Sequence, residues 1–212
     1  MRTRVKICGL TSLGALQAVL DAGADACGFV FYAASPRHLS FEGARQLAAR
    51  APHLLKVGVF VDAGDELLEA AVAAGGLGVL QLQGSEDPAR VAEVRARFGL
   101  PVWKAVGVRT ADEVRAAATR FSGADLLLLD ARPAPGMLLP GGNGLAFDWR
   151  ILEAEKPAMP WGLAGGLQPD NVAEAIRRTG APLVDVSSGV EEAPGRKDVA
   201  KIMRFVEAAR RA

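Results

Sequence analysis

The chain has 212 residues, 50% of them hydrophobic, and its 25 lysines and arginines against 24 aspartates and glutamates give a formal net charge of +1. This composition is typical of a globular domain, and it argues against a nucleic-acid partner, which would need a clustered basic face. Two cysteines, Cys8 and Cys27, are too few for a disulfide framework and fit a reducing compartment. The sequence shows no signal-peptide pattern and no apolar run of membrane length, so we expect a cytoplasmic protein without a membrane partner.

Short β-rich segments alternate with alanine-rich amphipathic segments along the chain. The pattern predicts strands at residues 3–8, 26–31, 55–61, 78–82, 101–105, 124–129, 159–163 and 182–187. It predicts helices at residues 12–22, 41–50, 64–74, 87–97, 110–120, 147–155, 170–179 and 197–210. Strands that alternate with helices in this way are parallel and are joined by right-handed crossovers.

Eight strand–helix units average about 26 residues each, at the lower end of the size range of a closed (β/α)8 barrel, or TIM barrel. No linker-like segment interrupts the sequence, so we expect a single α/β domain over residues 1–212. The alternative is an open doubly wound sheet, which usually carries a G-x-G-x-x-G loop after its first strand. Cys8-Gly9-Leu10-Thr11 does not match that loop. The barrel is therefore favoured, with its active site at the C-terminal ends of the strands.

Cys8 ends the first predicted strand, where a thiol is either a small buried hydrophobe or a reactive group. Strand alternation places Lys6 and Cys8 on the inner face and turns Val5 and Ile7 toward the outer helices. A cation below the thiol would favour the thiolate. The alternative is that Cys8 only packs and Lys6 is a strand-edge charge.

Asp130 follows four consecutive leucines, residues 126–129, at the end of the sixth predicted strand. A carboxylate directly after such an apolar run either caps the next turn or serves chemistry at the barrel mouth. Asp130 and Cys8 come from well-separated strands of the barrel. They would therefore offer an acid and a base on two sides of one substrate.

Two glycine-rich turns follow the seventh and eighth predicted strands, one at Gly165 and Gly166 and the other at Ser188 and Gly189. Small residues let backbone N–H groups approach an anion, and the loops after strands 7 and 8 hold phosphate in many barrels of this class. We expect a phosphate site there and a small phosphorylated ligand. Alternation also turns Asp185 toward the interior of the barrel.

Arg37 lies in Ser35-Pro36-Arg37-His38 after the second strand, where its guanidinium would bind a carboxylate bidentately or remain a solvated loop charge. The long loop after the sixth strand contains Gly141-Gly142-Asn143-Gly144 and is predicted to be a lid or a substrate wall. The only histidines are His38 and His53, and no His/Asp/Glu cluster has metal-ligand spacing. We therefore expect no metal and no other cofactor.

Taken together, these segments resemble the phosphoribosylanthranilate isomerases of tryptophan biosynthesis. The segments that carry the resemblance are Val5-Lys6-Ile7-Cys8-Gly9-Leu10-Thr11, Ser35-Pro36-Arg37, Val57-Gly58-Val59-Phe60, Gln81-Leu82-Gln83-Gly84, Leu128-Leu129-Asp130, Gly141-Gly142-Asn143-Gly144, Phe147-Asp148-Trp149, Leu163-Ala164-Gly165-Gly166-Leu167 and Asp185-Val186-Ser187-Ser188-Gly189-Val190-Glu191. They run in the family's order over nearly the whole chain.

The resemblance implies an Amadori rearrangement of N-(5′-phosphoribosyl)anthranilate. It makes Cys8 the general base, Asp130 the general acid and Arg37 the ligand of the anthranilate carboxylate, with phosphate on the two glycine turns. Gln83 and Asp185 are further candidates for substrate binding. The chemistry requires a raised pKa at Asp130 and a lowered pKa at Cys8, the latter through Lys6.

The sequence departs from the family at three places. Gln83 stands where the family usually has histidine, so that the side chain can form hydrogen bonds but cannot titrate. Asn143 replaces the usual Thr or Ser, and Ser12-Leu13-Gly14 lacks the usual acidic residue. The sequence does not fix the oligomeric state, because no isolated apolar stripe marks an interface, so a monomer and a homodimer both stay open.

Two other functions stay open at this point. One is another phosphosugar isomerase or epimerase with a barrel fold, although the histidine-pathway enzyme would be expected to carry aspartate at position 8 and to repeat its half-barrel. A metal-dependent epimerase would need more histidines. The other is a non-catalytic barrel that binds a phosphorylated or anthranilate-type ligand, which only Gln83 favours.

Overall fold

The computed structural model describes residues 2–131 and 148–212. Eight parallel strands close into a barrel, with β1 paired to both β2 and β8, so the predicted (β/α)8 architecture is confirmed. The barrel strands are β1 (Arg4–Cys8), β2 (Ala26–Val30), β3 (Leu55–Phe60), β4 (Val79–Leu82), β5 (Val102–Val108), β6 (Leu126–Ala131), β7 (Trp161–Leu163) and β8 (Leu183–Val186).

The α-helices of the described residues connect these strands and cover the outside of the barrel. They are α1 (Leu13–Asp21), α2 (Phe41–Arg50), α3 (Asp65–Gly75), α4 (Pro88–Phe98), α5 (Ala111–Arg120), α6 (Arg150–Ala154), α7 (Val172–Thr179) and α8 (Val199–Arg210). Several begin at a capping side chain that accepts a hydrogen bond from the first turn, as Asp87 does from the Arg90 N–H at the start of α4. No helix of this part of the chain is both long and apolar enough to cross a membrane.

Alternation along each strand separates an outer core from an inner one. Val5 and Ile7 pack outward with the helices, as predicted. Smaller and longer apolar side chains, such as Ala26, Val57 and Leu128, fill the barrel interior. Toward the C-terminal ends of the strands, the inward-facing side chains are polar instead of apolar. This polar layer forms the floor of the candidate site.

Some boundaries differ from the prediction. Strand β5 is longer than the predicted 101–105, and β6 includes Asp130 itself where the prediction ended at residue 129. A short 3-10 helix (Ser188–Val190) and an antiparallel hairpin of β9 (Glu191–Ala193) and β10 (Arg196–Lys197) were not predicted. The predicted lid around Gly141-Gly142-Asn143-Gly144 lies outside the described residues.

Candidate active site

A buried ion pair lies beneath the mouth of the barrel. Lys6 of β1 and Asp185 of β8 are partners in the strand register, and the Lys6 Nζ donates to both carboxylate oxygens of Asp185 at 2.9 Å. Asp185 therefore faces the interior, as predicted. The Lys6 ammonium also lies near the Cys8 thiol. Burial lowers the pKa of Lys6, but Asp185 and Cys8 together outweigh that cost, so the pKa is raised. The pair connects two strands that end in candidate site residues.

The environment of Cys8 corrects the prediction of a lowered thiol pKa. Burial raises the pKa of Cys8 above its ordinary value, and the attraction of Lys6 offsets that only in part. The reason is that Lys6 is already paired with Asp185, whose negative charge also opposes the thiolate. The free protein therefore holds Cys8 mainly as a thiol at neutral pH.

Asp130 lies at the end of β6 in a setting that favours its neutral form. Its Oδ1 accepts a hydrogen bond from the Ala131 N–H at 2.8 Å. Loss of solvation raises the pKa of Asp130 to about 7; the charge of Asp185 adds to the shift, whereas the Ala131 N–H, Lys6 and Gln83 oppose it. A carboxyl group poised near neutrality agrees with the expected acid and is typical of catalytic carboxyl groups.

Gln83 is brought to Asp130, a contact that its assignment as a substrate ligand did not anticipate. Its side-chain amide lies near the Asp130 carboxyl and lowers the pKa of that group, so that it favours the ionised form. Its Oε1 accepts from the Nε2 of Gln81, two residues earlier on the inner face of β4, at 2.8 Å. The two hydrogen-bonded amides therefore lead from β4 to the neighbourhood of the Asp130 carboxyl group.

The two glycine-rich turns meet in space. Gly165 and Gly166 adopt φ values of +84° and +65°, which favour glycine, and a β-carbon at Gly189 would collide with the carbonyl oxygen of Leu167. Asn171 holds the first turn by accepting from the Gln168 N–H and donating to the Gly166 carbonyl. The turns predicted to share one anion are thus packed against each other.

Backbone donors are available at these turns. Within residues 2–131 and 148–212, the N–H groups of Gly166, Ser188 and Gly189 donate to no protein acceptor. Two of them belong to the first turn of the 3-10 helix, where N–H groups have no partner in the helix itself. Such groups can bind an anion.

Arg37 is not the solvated loop charge that the sequence left open. It is buried, and its Nε and Nη2 donate to the two oxygens of Glu191 at 2.8 and 2.9 Å. Lys197 of the β9–β10 hairpin also donates to Glu191 at 2.8 Å and reaches Ser187, whose hydroxyl donates to the Cys8 carbonyl. Among the described residues, the Arg37 and Lys197 cations therefore share the Glu191 carboxylate at the barrel mouth.

A family model described as N-(5'phosphoribosyl)anthranilate (PRA) isomerase matches residues 5–208. The chain belongs to this family. Its members catalyse an isomerisation in tryptophan biosynthesis, so the chain is an isomerase of that pathway. An N-(5'-phosphoribosyl)anthranilate isomerase from Paracoccus denitrificans (strain Pd 1222) is 55% identical over 207 residues, covering 97% of this chain and 96% of that protein.

Solved phosphoribosylanthranilate isomerases share the fold closely. The Thermotoga maritima enzyme superimposes with a TM-score of 0.88 at 36% identity, covering 99% of this chain and 100% of the other. A second phosphoribosylanthranilate isomerase structure, in complex with reduced 1-(o-carboxyphenylamino)-1-deoxyribulose 5-phosphate, has a TM-score of 0.82 at 34% identity, with the same coverage.

Three residues of the candidate site were missed by the sequence reasoning. Gln81 had a usable signal, because it is a polar residue on the inward face of an otherwise apolar strand. Glu191 closes the motif that begins at Asp185, but nothing in its spacing predicts a partner as distant in sequence as Arg37. Lys197 reaches the site through a hairpin that periodicity did not predict.

Proposed function

We propose that this chain converts N-(5'-phosphoribosyl)anthranilate to 1-(2-carboxyphenylamino)-1-deoxyribulose 5-phosphate, with Asp130 as general acid and Cys8 as general base. The observation that carries the proposal is that both groups lie near one buried ion pair, Lys6–Asp185, whose charges act on the pKa of each. An acid and a base from different strands are thereby held in one low-dielectric chamber at the C-terminal end of the barrel.

The reaction divides into two proton transfers. Asp130 gives its proton to the ribose ring oxygen as the bond from that oxygen to C1′ breaks. This leaves an iminium ion between C1′ and the anthranilate nitrogen. The Cys8 thiolate then removes the C2′ proton, and the electron pair of that C–H bond forms the enolamine. Tautomerisation of the enolamine gives the ketone. Each group is expected to contribute about 10²–10⁴-fold to the rate.

The substrate phosphate is assigned to Gly165, Gly166, Ser188 and Gly189. The N–H groups described above support this assignment. Phosphate at this point would anchor one end of the ribose chain. The reacting carbons C1′ and C2′ would then lie between the turns and the mouth of β1.

Gly189→Ala should weaken phosphate binding, because the new β-carbon meets the Leu167 carbonyl and pushes the two turns apart. Losing one charge-assisted hydrogen bond costs about 1.5–3 kcal/mol, so KM should rise roughly 10- to 100-fold while kcat changes little. Steady-state kinetics with inorganic phosphate as a competitive inhibitor checks this. An unchanged phosphate inhibition constant in a folded Gly189→Ala variant would contradict the assignment.

The anthranilate carboxylate is assigned to the positive cluster around Arg37. Glu191 occupies the Nε–Nη2 edge of the guanidinium, so the bidentate clamp expected from the sequence is already used by the protein itself. The two cations gathered here, Arg37 and Lys197, support carboxylate binding at this side of the mouth. Substrate would thus be held by its two anionic ends.

Arg37→Lys should keep the charge but lose the fork that Glu191 orients. We expect KM to rise about tenfold, with a smaller change in kcat, since the substitution removes about one charge-assisted contact. Affinities for the reduced product analogue and for its aniline counterpart, which lacks the carboxylate, provide the measurement. If both analogues lost affinity equally, Arg37 would not bind the carboxylate.

Complementation of a tryptophan auxotroph that lacks this isomerase tests the proposed function, with Cys8→Ala as its control. Growth with the wild-type chain and none with the variant is the expected result. Tight binding of the reduced product analogue without turnover would instead favour a non-catalytic barrel. The oligomeric state, monomer or homodimer, stays a prediction. Sedimentation velocity on the purified protein measures it.

A further inference from the structure

Gln81 is a buried amide with a hydrogen-bonded nitrogen and an oxygen that lacks a partner among the described residues. The residue is 1% exposed, and its Nε2 donates to the Oε1 of Gln83 at 2.8 Å. Its own Oε1 is buried and has no hydrogen-bond partner among the residues that the structure describes. An unpaired buried acceptor is costly and uncommon in folded proteins. Retaining an amide at this position therefore calls for a reason, and the reason lies at its Nε2 end.

The Gln83 amide can present either of its ends to Asp130. Rotation by about half a turn exchanges its oxygen and nitrogen, which are similar in size but opposite in hydrogen-bonding character. While the Gln83 Oε1 accepts from Gln81, the Gln83 Nε2 is the end left to face the nearby Asp130 carboxyl, whose pKa the Gln83 amide lowers. The opposite orientation would place two donors face to face between the amides and two oxygens between Gln83 and an ionised Asp130.

We propose that Gln81 is a positioning residue for the general acid: by donating to the Gln83 Oε1, it fixes the Gln83 amide with its N–H directed at Asp130. An N–H directed at Asp130 stabilises the carboxylate that forms when Asp130 gives up its proton. The carboxylate can then accept a proton again later in the cycle. This inference rests on the proposed function, because it acts through Asp130 as the acid.

The charges that act on Asp130 would be untouched by a change at Gln81. They are Lys6 of β1 and Asp185 of β8, with the Cys8 thiol above Lys6 on the same strand. The Ala131 N–H also stays in place on Asp130. A change in the titration of Asp130 after substitution of Gln81 would therefore report the Gln83 amide.

Gln81→Met keeps the length of the side chain and removes both polar ends. With Gln83 free to rotate, its oxygen can accept the proton of the carboxylic acid, so the Asp130 titration should move up by about 0.5–1 pH unit, the equivalent of one net hydrogen bond. The carboxyl ¹³C chemical shift of Asp130, followed by NMR as a function of pH, measures this without turnover. The thermal midpoint should stay level or rise, since the unpaired Gln81 oxygen is gone.

Three further proteins make the test decisive. Gln83→Met should shift the titration at least as far, and the double variant should shift it no further than Gln83→Met alone, because Gln81 acts through Gln83. Gln17→Met, which removes an exposed amide bonded to Asp21, should shift nothing. An unshifted Asp130 titration in Gln81→Met, or additive shifts in the double variant, would overturn the positioning role.

The inference and the proposed function fail in different ways. If Asp130→Asn kept near-wild-type turnover, the acid assignment would be lost whatever Gln81 does. If Asp130→Asn abolished turnover while Gln81→Met changed only the thermal midpoint, Gln81 would be a packing residue, and the acid would stand without it.

Discussion

Asp130→Asn should lower kcat by about 10²–10⁴-fold, because an amide cannot protonate the ribose ring oxygen. The exchange keeps the shape of the side chain, and the asparagine Oδ1 can still accept from the Ala131 N–H. KM should change little, since the phosphate and carboxylate sites are elsewhere. Initial rates with N-(5'-phosphoribosyl)anthranilate, together with the affinity of the reduced product analogue, separate lost chemistry from lost binding.

Asp125→Asn is the matched control, because Asp125 directly precedes the strand that ends near Asp130. Asp125 lies just before β6, at the opposite end of the barrel, where it accepts from the Val102 N–H at 2.8 Å and pairs with Arg95. Its substitution should lower stability and leave kcat close to wild type. A loss of rate as large in Asp125→Asn as in Asp130→Asn would mean that the barrel had been disturbed in both.

The same substitution at position 130 should make the protein more stable above neutral pH. The pKa of Asp130 is about 7 in the fold against 3.8 for the ordinary group, so the folded state binds a proton that the unfolded state has released. Ionising this carboxyl therefore costs stability as pH rises from about 4 to 7, by up to about 4 kcal/mol above pH 7. An asparagine side chain at this position does not ionise and carries no such cost. Thermal unfolding of the variant and the wild type at pH 5 and pH 8 should show the gain at pH 8.

The fold was predictable because each local pattern agreed with the closed barrel. Val5 and Ile7 could be assigned to the outer core from alternation alone, and the two glycine turns followed from the number of strands before them. The hairpin of β9 and β10 was not predicted because its strands are too short to show any periodicity. Strand β6 was ended one residue early because a carboxylate after four leucines is typical of the end of a strand.

The electrostatics of the site were much less predictable than its position. Lys6 was expected to lower the Cys8 pKa, but its charge is shared with Asp185, a residue 179 positions away, and burial dominates. Arg37 was expected to meet only substrate or solvent, and Glu191 reaches it across 154 positions. Pairings between distant segments set these charges, and a sequence shows the groups without showing the partners.

Cys8→Ala should reduce kcat by about 10²–10⁴-fold through loss of the base that removes the C2′ proton. Cys27→Ala is the matched control, since Cys27 is also buried, faces the outer core, and has a pKa raised to about 12. That variant should lose some stability but keep its turnover. Near-wild-type kcat in Cys8→Ala would remove the thiol from the mechanism.

The pH dependence should show which residue produces which limb of the rate profile. Asp130 ionises near pH 7, before Cys8, whose pKa burial has raised. Between these values the dominant one-proton form is carboxylate plus thiol, and the reactive form, carboxylic acid plus thiolate, is its minor tautomer. The population of that tautomer rises with pH up to the Asp130 pKa, stays level, and falls once Cys8 has lost its proton. We therefore expect kcat/KM to rise to about pH 7 and to decline only through the higher Cys8 pKa.

Alkylation of Cys8 by iodoacetamide identifies the limb directly, because only the thiolate reacts. The rate of modification should follow the alkaline limb of kcat/KM, and reduced product analogue should protect the thiol. Cys27→Ala should be modified at the same rate as wild type. If the alkylation midpoint lay at the acidic limb instead, Cys8 would be the more acidic group, and the thiolate would be the resting form of the base.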